Sequence, residues 1–153
     1  MNYKTFFAII GLLCLPLPAL AEIVGSVDTN FHLLSRDDDI VIEAFDDPKV
    51  EGVTCHMSRA RKGGIKGQLG LAEDTSDASI ACRQVGPIKF DEHMKDKETV
   101  FTQKTNLLFK TMQVVRFRDK KRNVLIYLVY SDKLIEGSPK NSISTVPVMP
   151  WNK

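Results

Sequence analysis

Short runs of alternating apolar and polar residues, broken by Gly, Pro, Asn and Asp, dominate the chain, and helical periodicity is thin. Ile40-Val41-Ile42-Glu43-Ala44-Phe45 is β-branched and aromatic, and Asp46-Asp47-Pro48 breaks it. After Gly52 the run from Val53 to Ser58 alternates again, so the two predict a hairpin with a longer turn. Met112 to Phe117 and Val124 to Tyr130 flank the polar stretch Asp119-Lys120-Lys121-Arg122-Asn123 and predict a second hairpin. Its second strand is apolar on both faces, which places it in the middle of a sheet. In its first strand Arg116 and Arg118 alternate with Val115 and Phe117, a pattern that predicts one wet face.

Weaker strand signals lie at Thr99 to Thr102 and from Ile23 to Leu34, and Thr105 to Gln113 suits a strand or a helix. A short helix fits Leu71 to Ser79, with Glu73, Asp74 and Asp77 as carboxylates of its first turn. Asp37-Asp38-Asp39 reads as a solvated turn. The expected fold is mainly β: a single small antiparallel domain, barrel or sandwich-like, with at most one or two short helices.

The first 21 residues stand apart from this pattern. Lys4 is their only charge, an apolar run follows from Phe6 to Leu15, and Pro16, Pro18 and Ala19-Leu20-Ala21 close the segment. A positive start, a short apolar run and an A-x-A ending make a secretory signal peptide, with cleavage expected between Ala21 and Glu22. The apolar run is short for a membrane span and prolines interrupt its end, so no stable insertion is expected after cleavage. Residues 1–21 are thus assigned to the signal and 22–153 to one domain. The compartment that follows is the periplasm.

Cleavage removes one of the three cysteines, Cys14, and leaves Cys55 and Cys82. An even pair in an exported chain reads as a disulfide, formed on folding by the periplasmic thiol oxidase. Alternation puts Cys55 on the apolar face with Val53 and Met57, and Cys82 on a face with Ile80. A redox-active pair favours a C-x-x-C, which the sequence lacks. A zinc site from Cys55, His56 and Cys82 is disfavoured because adjacent strand residues point to opposite faces.

Composition changes the picture mainly by exclusion. The chain is 43% hydrophobic and 26% charged, which suits a packed domain and not a disordered one. Its net charge is +2, and loss of Lys4 leaves the mature chain nearer neutral, so no nucleic-acid partner is implied. The phosphate-loop and dinucleotide fingerprints, H-E-x-x-H, G-x-S-x-G and S-x-x-K are absent, and His32, His56 and His93 lack metal-ligand spacing. No cofactor and no metal are expected.

The glycine-rich stretch from Gly63 to Asp77 is the one segment with candidate chemistry. Its backbone N–H groups, with Arg59, Arg61, Lys62 and Lys66 close by, suit an anion, and Glu73, Asp74 and Asp77 suit a hard cation. The plain reading is a loop whose glycines adopt positive φ. Candidate ligand-binding residues are therefore Lys66, Glu73, Asp74 and Asp77. At the other end, Val146-Pro147-Val148-Met149-Pro150-Trp151 reads as extended backbone, with Trp151 either tucked against the domain or exposed for a partner.

Two stretches carry a family resemblance. One is Gly63-Gly64-Ile65-Lys66-Gly67-Gln68-Leu69-Gly70-Leu71-Ala72-Glu73-Asp74, continued by Cys82-Arg83-Gln84-Val85-Gly86-Pro87-Ile88. The other comprises Gln113-Val114-Val115-Arg116-Phe117, Tyr130-Ser131-Asp132-Lys133 and Glu136-Gly137-Ser138-Pro139-Lys140-Asn141. With these the chain resembles the bacterial CreA family over essentially all of residues 22–153. The resemblance implies an exported protein of Gram-negative bacteria and brings no catalytic residues with it. The expected role is a binding or interaction module of the cell envelope, acting on a periplasmic protein or small ligand, and not catalysis. The alternative is an enzyme, or a small-anion or metal binder, built around Gly63 to Asp77.

Overall fold

The computed structural model describes residues 20–30, 33, 37–63, 78–104, 111–132 and 139–152. They form eight strands: β1 (Glu22–Asn30), β2 (Asp38–Asp46), β3 (Val50–Arg61), β4 (Ala78–Phe90), β5 (Lys97–Lys104), β6 (Thr111–Asp119), β7 (Val124–Asp132) and β8 (Asn141–Pro147). Two four-stranded antiparallel sheets result, in the orders β1-β2-β3-β4 and β5-β6-β7-β8. Each is a meander in which every strand pairs with its neighbour in sequence, and there is no helix among the described residues.

The two sheets face each other as a sandwich and do not close into a barrel. Both predicted hairpins are present, as β2–β3 and β6–β7. The run from Val124 to Tyr130 lies in β7, which pairs with β6 on one side and β8 on the other. Of the ambiguous stretch 105–113, Thr111 to Gln113 belong to β6, and the rest lies outside the described residues. The short helix expected over Leu71 to Ser79 likewise falls outside them up to residue 77, and Ser79 lies in β4.

Alternation explains the core. Phe45, Val53, Cys55, Met57, Ile80 and Cys82 point inward from the first sheet and meet Phe101, Met112, Val114, Leu125, Tyr127 and Val129 from the second. Across the middle, Phe45 stacks on Phe101 with ring centroids 4.7 Å apart. β2 therefore lies over β5, and β1, the next strand out, extends past the covered region with every residue exposed or half-buried.

At the other flank the free edges of β4 and β8 meet through side chains. The Cys82 N–H donates to Ser144 Oγ at 2.8 Å. The Gln84 amide donates to the Met149 carbonyl at 2.9 Å and accepts from the Met149 N–H at 3.2 Å. Cys55 and Cys82 sit directly opposite in the β3–β4 ladder, fully buried and joined by a disulfide.

Two expectations fail here. Arg116 is not on a wet face: it is completely buried, because carboxylates from elsewhere in the fold surround its guanidinium. Asp38 and Asp39 are not in a solvated turn: both lie in β2 and are buried, Asp39 against Arg61 of β3 and Asp38 against Lys62 just past its end.

Candidate functional site

Charge inside the sandwich is concentrated at two places. The first is the end where β2 begins and β3 finishes. The inward face of β2 here carries Asp39 and Glu43 in place of apolar residues, and β3 answers with Arg61 directly opposite Asp39 and with Arg59 opposite Val41, two positions from the partner of Glu43. Arg59 donates from Nε and Nη2 to the two Glu43 oxygens at 3.0 and 3.1 Å. Arg61 grips Asp39 in the same forked way, with Nε to Oδ1 at 2.9 Å. Asp38 accepts from the Gly63 N–H at 2.7 Å and from Lys62 at 3.4 Å.

Gln103 reaches across from β5 and donates to Glu43 at 3.0 Å, tying the sheets together at this level. Its Oε1 is buried and has no hydrogen-bond partner among the described residues. Burial pushes the Glu43 carboxyl up, but hydrogen bonds from Arg59 and Gln103 and the charges of Arg59 and Arg61 outweigh it. Glu43 is therefore held below its ordinary value and stays ionised.

The second place is the opposite end of β2, around Asp47. The Asp47 carboxylate caps its own turn by accepting from the Lys49 N–H at 2.8 Å. It also accepts from Arg116 Nη1 at 2.6 and 2.8 Å and from the Tyr127 hydroxyl at 2.8 Å. Arg116 Nη2 donates onward to Glu98 at 2.8 Å, while its Nε is buried without a partner among the described residues. Burial, then the Asp47 charge and hydrogen bond, push the Tyr127 phenol far above its ordinary value, so it remains a neutral donor. Asp47, Arg116 and Tyr127 are closed to solvent, Glu98 is half-buried at the cluster's rim, and together they hold the two sheets to each other.

The sequence-based site residues fall as follows. Lys66, Glu73, Asp74 and Asp77 lie outside the described residues. Their segment leaves β3 after the charged end and rejoins the sheet at Ala78. Arg59, Arg61 and Lys62, which the anion reading enlisted, are each turned onto a carboxylate, so their charge is neutralised locally. Ala21 packs against the core and Glu22 begins β1. His56 is exposed, on the face of β3 opposite the buried Cys55 sulfur. Among the described residues no group of three or more His, Cys, Asp or Glu is placed to hold a metal ion. Nor is any helix there long and apolar enough to cross a membrane.

Where these strand ends meet, an open hollow of about 530 Å³ is lined by Ile40, Ser58, Ala60, Ser79 and Ser142, among others. Its described walls are small side chains and hydroxyls, and the one cation among the described lining residues, Arg59, is engaged by Glu43. Beside it, exposed apolar side chains lie on β1 and β2: Val27, Ile40 and Ile42 on the outward face, Val24 at the register shift, and Ile23 on the inward side of β1. Val27 lies opposite Ile40 in the β1–β2 ladder. Sequence reasoning missed this surface because an exposed apolar strand and a buried one share the same alternation. At the tail, Trp151 is 43% exposed and not tucked into the core.

A family model described as CreA protein matches residues 24–151. Over 157 aligned residues the chain is 57% identical to Protein CreA of Escherichia coli strain K12, with both chains covered in full. The same values hold for Protein CreA of Escherichia coli O6:H1 and of O157:H7. No solved structure gives a significant match.

Proposed function

The chain belongs to the CreA family, and from that premise we propose that it is an exported binding protein of the bacterial envelope, working in the periplasm through contact with another molecule and not through catalysis. The observation that carries the binding reading is the gathering of Val27, Ile40 and Ile42 on the outward face of β1 and β2, with Val24 exposed at the adjoining register shift and Ile23 on the other open face of β1. Scattered exposed apolar residues are ordinary, but a contiguous group on adjacent strands of a small domain marks an interaction surface. Export is supported by the sequence of residues 1–21 and by the Cys55–Cys82 disulfide, a bond that oxidising compartments preserve.

The test is made in bacteria expressing the full chain. Osmotic-shock release, alkylation of free thiols and N-terminal sequencing should find an unalkylated protein that begins at Glu22. A photo-crosslinking residue at Val27 should yield a discrete adduct in intact cells. A cytosolic, full-length protein with two free thiols would overturn export, and absence of any adduct from Val27 would overturn the binding surface.

A further inference from the structure

The two sheets have four edges, and they are not alike. The β4 and β8 edges meet each other through Ser144 and Gln84. The β5 edge carries exposed lysines at both ends, Lys97 and Lys104, a pattern that discourages further pairing. β1 is different: it pairs with β2 alone among the described strands, and its nine residues include no Lys, Arg or Pro.

Both faces of β1 are open. Ile23, in register with the inward-facing Glu43, is 57% exposed, and Val27, in register with the outward-facing Ile40, is 63% exposed. Register shifts at Ile23/Gly25 and Asp28/Asn30 leave Gly25 to Asp28 as an unbroken stretch of ladder. An incoming strand would align on that stretch, with its main chain hydrogen-bonded to the free edge and its side chains beside Val27 and Ile23.

Charge selects the occupant. The ionisable side chains of β1 are Glu22 and Asp28, both exposed and neither with an ion-pair partner among the described residues. A second copy meeting this edge with its own β1 would bring two further acids to the pairing, and like charges across a ladder oppose it. A segment with lysine or arginine near its ends finds the Asp28 carboxylate at one and, at the other, the Glu22 carboxylate beside the α-amino group that cleavage would free. We infer that β1 is a strand-addition edge for an extended partner segment that carries basic residues flanking alternating apolar ones. This rests on the binding reading above and names the chemistry of its partner.

The probe is a capped octapeptide of alternating valine and threonine with lysine at each end, set against the same peptide with glutamate at each end. Expected are slowed hydrogen exchange of the Gly25 to Asp28 amides and about tenfold tighter binding of the lysine peptide, weakening with salt. Glu22→Lys combined with Asp28→Lys, far from the core, should leave the thermal midpoint unchanged and reverse the preference. Equal binding of the two peptides, protection confined to other strands, or a concentration-dependent dimer closing over β1 would overturn the inference. A Val27 adduct in cells alongside any of those outcomes would leave the binding reading standing and reject strand addition alone.

Discussion

Arg116 on β6 and Asp47 at the β2–β3 turn form a fully buried ion pair that joins the two sheets, with Nη1 at 2.6 and 2.8 Å from the two carboxylate oxygens. The partners are 69 positions apart in the chain, so the contact exists only once both hairpins have docked. Removing one partner leaves the other charged and dry. Arg116→Met or Asp47→Asn should each destabilise the fold by about 3–5 kcal/mol in denaturant unfolding, and Tyr127→Phe by about 1–2 kcal/mol. The double variant Arg116→Met with Asp47→Leu should recover part of the single-variant loss, because no fully buried charge remains and only the half-buried Glu98 loses its partner.

Cys55 and Cys82 close a loop with a sequence separation of 27 between facing strands of one sheet. Loop-closure entropy gives about 3.5 kcal/mol for such a bond. Cys55→Ala with Cys82→Ala should lower stability by about 2–4 kcal/mol. Because both sulfurs are fully buried, a mild reductant should leave the native bond intact and cut it promptly once denaturant is added, as read by thiol alkylation and mass.

Acid acts through Glu43. Its folded value lies below the ordinary 4.5, so the unfolded chain takes up a proton there first as pH falls. The stability from its pairing with Arg59 and Gln103 is fully present above that ordinary value and is lost as pH drops through the lower folded one. Stability measured between pH 7 and pH 3 should therefore decline below about pH 5, and Glu43→Gln should flatten that decline while lowering stability at neutral pH.

The hairpins were legible because their alternation and their Asp, Pro and Gly breaks are local signals, and β7 declared its central place by being apolar on both faces. Arg116 was not legible. A charged residue alternating with apolar ones carries the mark of a solvated face, and only Asp47 and Glu98, brought in by tertiary packing, reverse that. Asp38 and Asp39 misled in the same way, since an acidic run resembles a turn until Arg61 and Lys62 at the end of β3 are placed against it. Asp47 was half legible: the chain does turn there, but nothing local announces that its carboxylate also serves Arg116 and Tyr127 in the other sheet.

Gly52 is held at φ +82°, where the β3–β4 register jumps from Glu51–Lys89 to Val53–Gln84. A Cβ at this position would stand 2.5 Å from the Pro87 carbonyl oxygen and 2.9 Å from that of Gly86, all main-chain atoms. Gly52→Ala combines backbone strain with a clash that no side chain can relieve, and should cost at least about 2 kcal/mol. Gly25→Ala is the control: nothing lies within 4 Å of its Cβ, so it should be neutral or slightly stabilising in the same thermal unfolding assay.

The seam between β4 and β8 separates two kinds of loss. Ser144 Oγ takes the Cys82 N–H, a donor on a fully buried residue, so Ser144→Ala strands that donor and should cost about 1–3 kcal/mol in global stability. Gln84 instead pairs its amide with the exposed main chain at Met149, which water can serve in its absence. Gln84→Ala should therefore cost under about 1 kcal/mol globally, yet speed hydrogen exchange at the Met149 amide and increase quenching of Trp151 by iodide. Equal global losses for the two variants would mean that the tail, and not the buried Cys82 donor, limits the seam.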